Sequence, residues 1–189
     1  MAFIYIAAVD TPGFFASCIR RFLKQRYVHV VIAADAELNE AYSIGRRNPA
    51  VPVIAGFEKE EKDKILHSFP SAYYQISRIK CTETQKMQIL EILHKDYKRR
   101  FRIHYAVCGL PFIIAGRPFY LKNQYTCSSY IAKILAENGI FIADKHFSLV
   151  TPKDFLKYEK MEKIYEGPLC QITTESFNYV KEQNSVYES

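Results

Sequence analysis

The chain contains no tryptophan, although it carries 14 tyrosines and 13 phenylalanines. Its five cysteines, at 18, 81, 108, 127 and 170, form no CxxC pair and no metal-ligand spacing, so no zinc module is readable. An odd cysteine count without a secretory lead suggests reduced thiols. The opening MAFIYIAAVDTPGFF lacks the basic region that begins a signal peptide, and Asp10 and Pro12 interrupt its apolar run. No run approaches the ~20 apolar residues of a membrane span. These absences lead us to expect a cytoplasmic protein without a transmembrane segment and disfavour a cell-wall or secreted role. Four chemical signatures are also missing: the GxSxG elbow, the P-loop, GxGxxG and HExxH. The net charge is +6, but basic and acidic residues are interspersed and no base-reading motif occurs. Nucleic acid is therefore not an expected partner. There is no internal repeat and no low-complexity segment.

What is present suits one globular unit. The 189 residues are 49% hydrophobic and 24% charged, enough for a single well-buried core. We divide the chain into a domain over 1–172 and a polar tail over 173–189. Phe3–Val9, bounded by Asp10-Thr11-Pro12-Gly13, reads as a buried strand. Phe14–Gln25 carries an apolar stripe opposite Arg20, Arg21 and Lys24, and reads as an amphipathic helix with a solvated basic face. Tyr27–Ala34 is a β-branched strand that turns at Asp35-Ala36-Glu37 and pairs back as Leu38–Ile44. Gly45–Pro52 is a loop, and Val53–Phe69 is ambiguous, ending in the charged stretch Glu58–Lys64. Tyr73–Ile79 alternates as a strand. Thr82–Lys98 is the clearest long helix, with Thr82 and Gln85 fitting a capping box. His104–Tyr120 is an irregular aromatic stretch. Thr151-Pro152-Lys153-Asp154 starts another helix, and Tyr165–Ile172 reads as a last strand.

The stretch Asn123–Gly139, NQYTCSSYIAKILAENG, carries the most chemistry. Thr126 is a plausible N-cap. Tyr130, Ile131, Ile134 and Leu135 recur at helical spacing, and Asn138-Gly139 is a helix stop. Cys127 thus falls in the first turn. There the helix dipole and unpaired N–H groups favour a thiolate and can hold an oxyanion. A small cysteine filling the core is the competing explanation.

A cysteine nucleophile needs a base, and five histidines are available at 29, 67, 94, 104 and 146. His94 lies among charges on a helix, His67 and His146 have no distinguishing context, and His104 is a reserve. His29 sits inside an apolar strand, where a bare imidazole is costly without a partner. A general base presented to Cys127 is one explanation; a core histidine satisfied by backbone is the other. A third group must orient the ring. Glu40, across the expected hairpin, is the first candidate, with Ser43 and Asn39 as rivals because the register is not readable.

The order of a strand histidine, a polar residue on the next strand and a cysteine at a helix start resembles the permuted NlpC-like, papain-fold cysteine hydrolases, in particular the YiiX-like branch. The resembling pieces are YVHVVIAADAELNEAYSIGR (27–46), IHYAVCGL (103–110), YTCSSYIAKILAENGI (125–140), and TPKDF with IYEGPL (151–169). The resemblance implies an α+β fold: a single circularly permuted papain-like domain, with an antiparallel sheet and packed helices. It implies Cys127 as nucleophile, His29 as base and Glu40, in the pair Glu40-Ala41, as the orienting residue. Ser129 departs from the Gln or Glu that relatives often carry two positions after the cysteine. The implied activity is hydrolysis of an amide, ester or thioester bond without metal or organic cofactor, on a peptide, amide or acyl-lipid substrate. An acyltransferase of the same thiol chemistry and a non-catalytic binding module are the alternatives.

Overall fold

A computed structural model describes residues 1–11, 20, 26–47, 55–173 and 177. The amphipathic helix expected over 14–25, Arg20 apart, and nearly all of the expected tail over 173–189 lie outside the described residues. Among the described residues the fold is α+β, with one eight-stranded sheet and five α-helices. The strands are β1 (Ala2–Asp10), β2 (His29–Ala33), β3 (Ala41–Arg46), β4 (Ala55–Glu60), β5 (Tyr73–Cys81), β6 (His104–Tyr105), β7 (Gln124–Tyr125) and β8 (Met161–Pro168). The helices are α1 (Lys62–Ser68), α2 (Glu83–Lys98), α3 (Leu110–Ile114), α4 (Cys127–Glu137) and α5 (Pro152–Leu156). The sheet runs in the order β7-β6-β4-β3-β2-β1-β5-β8. All neighbours are antiparallel except β6 and β7, which are parallel. The sheet is therefore mixed, not purely antiparallel. The difference arises because residues 106–123 form a crossover that returns β7 alongside β6 in the same direction.

The central strands are apolar almost throughout because both faces of the sheet are covered. Ile4, Ile6, Val30, Ile32, Ile44 and Phe57 face one side, where Ile89 and Leu93 of α2 and Ile131, Ile134 and Leu135 of α4 pack against them. Ala7, Val9, Val31, Ala33 and Ile76 face the other, against Leu169, Ile172 and the half-buried Ile65 and Leu66 of α1. The expected hairpin forms, with Ile32 opposite Tyr42 and Ala33 opposite Ala41. The ambiguous stretch before Phe69 resolves into β4 followed by α1.

The helix ends follow local chemistry. Thr82 and Gln85 make the expected reciprocal capping box at α2, with bonds of 3.1 and 2.9 Å. At α4 Thr126 pairs in the same way with Ser129, at 3.1 and 2.9 Å. Gly139, just past the C-cap of α4, has φ +77°, a conformation that glycine takes without penalty. Phe57 is fully buried, stacked on Tyr42 at 5.7 Å and tilted against Tyr130 at 4.9 Å. Phe57→Ala is expected to destabilise the fold by about 3–5 kcal/mol. A denaturant unfolding midpoint unchanged by that substitution would contradict this packing.

Candidate active site

Sequence places the site where three local structures meet. Cys127 opens α4 because Thr126 caps the helix and leaves the cysteine as its first residue. Ser128 fixes the start of the helix by donating to the Val150 carbonyl at 2.7 Å. His29 opens β2, opposite Val9 of β1. Glu60 ends β4, opposite Ala41 of β3. Side chains two residues apart along a strand share a face. The β2–β3–β4 register therefore puts His29, Ser43 and Glu60 on one face. Gly45 leaves Ser43 its room: a Cβ there would press on Ser43 Oγ at 3.2 Å while meeting His29 Cε1 at an ordinary 3.5 Å.

The imidazole lies between a thiol and a carboxylate. His29 Nε2 is 3.4 Å from Glu60 Oε1. The Ser43 hydroxyl donates a short hydrogen bond to that same carboxylate oxygen. With Nε2 turned to Glu60, Nδ1 is the nitrogen available to Cys127, with which the ring hydrogen-bonds. Cys127 is 4% exposed, and the His29 and Glu60 side chains are 23% and 21% exposed. The trio therefore sits in low dielectric while the imidazole keeps a path to solvent.

Burial, the largest single influence on each member, opposes its charged form. For Cys127 the charge of His29, the hydrogen bond with it, and the backbone N–H groups of Val30 and Ser128 outweigh burial and lower the thiol below its ordinary range. For His29 the Cys127 charge and hydrogen bond, with Glu60 behind them, outweigh burial and push the ring up to about 10. For Glu60 the His29 and Ser43 contacts outweigh burial and hold the carboxyl low. All three shifts favour a thiolate–imidazolium–carboxylate row. Tyr105, on β6, borders the thiol. Burial first, and then the Cys127 charge, keep its phenol protonated far above neutral pH.

The structure thus brings Cys127 and His29 together, and it is Glu60, not the expected Glu40, that meets the imidazole. Glu40 does not reach His29. It precedes β3, and its carboxylate takes a short contact with His94 Nε2 and a 3.2 Å bond from the Tyr42 hydroxyl. The rival Asn39 turns its backbone N–H to Asp35. The rival Ser43 does serve the site, but through Glu60. Glu60 itself fell in the segment left ambiguous. Its trace in the sequence is the alternation Phe57-Glu58-Lys59-Glu60, which puts two acids on the face opposite a buried phenylalanine. The remaining histidines lie elsewhere. His94 pairs with Glu40, His67 and His104 are exposed, and His146 caps a short 3-10 turn by accepting from the Ser148 N–H.

The aromatic stretch divides between core and surface. Tyr125 is buried edge-to-face on Tyr130 at 5.4 Å, while Phe112 and Tyr120 are exposed. An open depression beside Gln88, Ile92 and Asn138 lies between α2 and the C-terminal end of α4, away from the thiol. No cluster of His, Cys, Asp and Glu suited to a metal ion occurs among the described residues. No helix among them is long and apolar enough to cross a membrane. No protein-family model matches the chain, and neither the curated proteins nor the solved structures contain a match to it.

Proposed function

We propose that this protein is a cysteine hydrolase that cleaves an amide, ester or thioester bond, on a permuted papain-like, NlpC-like fold. The observation that carries the reading is the placement of His29, 3.4 Å from Glu60, beside Cys127 at the start of α4, an arrangement that favours the charged form of each. In the proposed cycle the Cys127 thiolate attacks the substrate carbonyl carbon. The resulting oxyanion collapses as the imidazolium of His29 protonates the leaving group. The neutral imidazole then takes a proton from water, and hydroxide attack on the thioester releases the acid and restores the thiol pair. Glu60 stabilises the imidazolium and holds the ring, and Ser43 holds Glu60.

The oxyanion donors follow from the bookkeeping of the α4 first turn. The Ser129 N–H is taken by Thr126 Oγ1, and the Ser128 N–H points at the sulfur. That leaves the N–H of Cys127, and the protonated Tyr105 hydroxyl, which feels the Cys127 charge, is a side-chain candidate to join it. Tyr105→Phe is expected to lower kcat by about 10²-fold with KM little changed. An unchanged kcat would remove Tyr105 from the oxyanion site.

The reading is tested by screening acyl-amide, ester and peptide probes, then mapping the acylated residue by mass spectrometry. Acylation of Cys127, with turnover lost in Cys127→Ala and cut by about 10²–10⁴-fold in His29→Ala, supports it. Acylation elsewhere, or turnover retained in Cys127→Ala, overturns it. Product analysis with an added alcohol or amine acceptor separates hydrolysis from acyl transfer.

A further inference from the structure

The crossover that joins β6 to β7 has an unusual surface. Phe112, Ile114, Tyr120 and Leu121 are 38, 65, 40 and 45% exposed. Phe101, just before β6, is 64% exposed. Several large exposed apolar side chains on one crossover point to an interaction site. The parallel register places His104 beside Gln124, so Phe101 and Arg102 enter the sheet at the same end as Leu121 and Lys122. Arg117 stands between Ile114 and Leu121. Arg102, Arg117 and Lys122 are all exposed, and none has an ion-pair partner among the described residues.

The charge pattern selects the partner. From Tyr97 to Ala136 the chain has no Asp or Glu, while it carries Lys98, Arg99, Arg100, Arg102, Arg117, Lys122 and Lys133. At forty residues this is longer than the acid-free runs 11–34 and 64–82. A second copy docking through the same face would oppose like charges, which disfavours a symmetric dimer there. The nearby Glu58 is already held by Arg47 and Arg100, whose guanidiniums lie over Phe101. The apolar tip with Arg102, Arg117 and Lys122, unpaired among the described residues, therefore matches a surface that is anionic outside and apolar just beneath.

We propose that the 110–122 crossover, with Phe101 and Arg102, docks this protein on anionic phospholipid bilayers. Phe112, Ile114 and Leu121 enter the headgroup–acyl boundary, and Arg102, Arg117 and Lys122 contact lipid phosphates. The docking stands apart from the thiol chemistry, because membrane partitioning requires no intact Cys127. It goes beyond the hydrolase reading by giving the protein a location at which to act.

The absence of tryptophan supplies the probe. Ile114→Trp introduces the only indole in the chain, at an exposed position. Its fluorescence is expected to shift to the blue on adding phosphatidylcholine vesicles that contain phosphatidylglycerol, and not with phosphatidylcholine alone. In co-sedimentation with the same vesicles, the full chain should bind, and added salt should release it. Each of Arg102→Gln, Arg117→Gln and Lys122→Gln should weaken partitioning by about fivefold. Phe112→Ser with Leu121→Ser should abolish it with the circular dichroism spectrum unchanged. No blue shift, or partitioning indifferent to phosphatidylglycerol, overturns the proposal. So does a shift produced by a DNA duplex but not by vesicles, or by protein concentration alone.

Discussion

Cys127 is expected to lose less than about tenfold of its reactivity toward iodoacetamide between pH 9 and pH 6, while an ordinary thiol loses nearly all of it. A thiol titrating near 8.5 is about 0.3% ionised at pH 6, so its alkylation rate falls about 200-fold over that interval. Cys127, held low by His29 and by the Val30 and Ser128 N–H groups, should fall by less than about tenfold. The ratio of rates at the two pH values for one residue is the right measure. Cys127 is buried whereas Cys108 and Cys170 are exposed, so absolute rates mix ionisation with access. Low thiol pKa also reduces intrinsic nucleophilicity, which trims the absolute advantage at pH 6 to the order of tenfold. His29→Ala removes the cation and leaves burial, the largest opposing influence, in place. Labelling at pH 6 should then fall toward the ordinary profile, with labelling at pH 9 little changed. Residue-resolved mass spectrometry reads all of these rates in one experiment.

Glu60→Gln is expected to cut turnover strongly, and Glu40→Gln to leave it almost unchanged. Replacing the carboxylate behind the histidine of a serine triad costs about 10⁴-fold. Here the thiol is already ionised by its own contacts, so a loss on the order of 10² is the reasonable expectation. The pH dependence carries the sharper distinction. Glu60 contributes to raising His29 to about 10, so its neutralisation should move the alkaline limb of the rate profile to lower pH. Glu40 contacts His94 and Tyr42, and its substitution should leave that limb in place. The same linkage predicts a stability window. The raised His29 contributes stability fully below its unfolded pKa of 6.5, and loses it as pH rises through about 10. The lowered Glu60 contributes fully above its unfolded value of 4.5, and loses it as pH falls through the folded value. The stability gap between wild type and Glu60→Gln should therefore be widest between 4.5 and 6.5. A gap that widens toward pH 10 would contradict the assignment.

The contrast between Glu40 and Glu60 shows which parts of this site a sequence can reveal. Cys127 was legible because its signal is local: a Thr cap, a helical stripe and an Asn-Gly stop all lie within seventeen residues. His29 was legible because an imidazole inside YVHVVIAA is out of place on energetic grounds. The third residue depends on register across three strands, and neither hydrophobic pattern nor turn chemistry fixed the path from β3 to β4. Residues 47–54 intervene, and a one-residue slip would turn Glu60 to the opposite face. Proximity in sequence therefore pointed to Glu40, which lies just before β3 starts. The parallel β6–β7 pair was hidden for a similar reason. Two-residue strands carry too little periodicity to be seen, and only the crossover makes them parallel. The strands β1, β2 and β5 and the helices α2 and α4 were legible because propensity, capping and apolar pattern agree in each.

The row of charges is the central claim, and a thiolate absorbance titration tests it without any substrate. Subtracting the ultraviolet titration of Cys127→Ser from that of the wild type isolates the signal of Cys127. The account predicts a thiolate already present at neutral pH, below the ordinary thiol range, and moved upward by His29→Ala. A difference signal that emerges only near or above pH 8.5, and that His29→Ala does not move, would mean that Cys127 is a packing residue and that no ion pair exists.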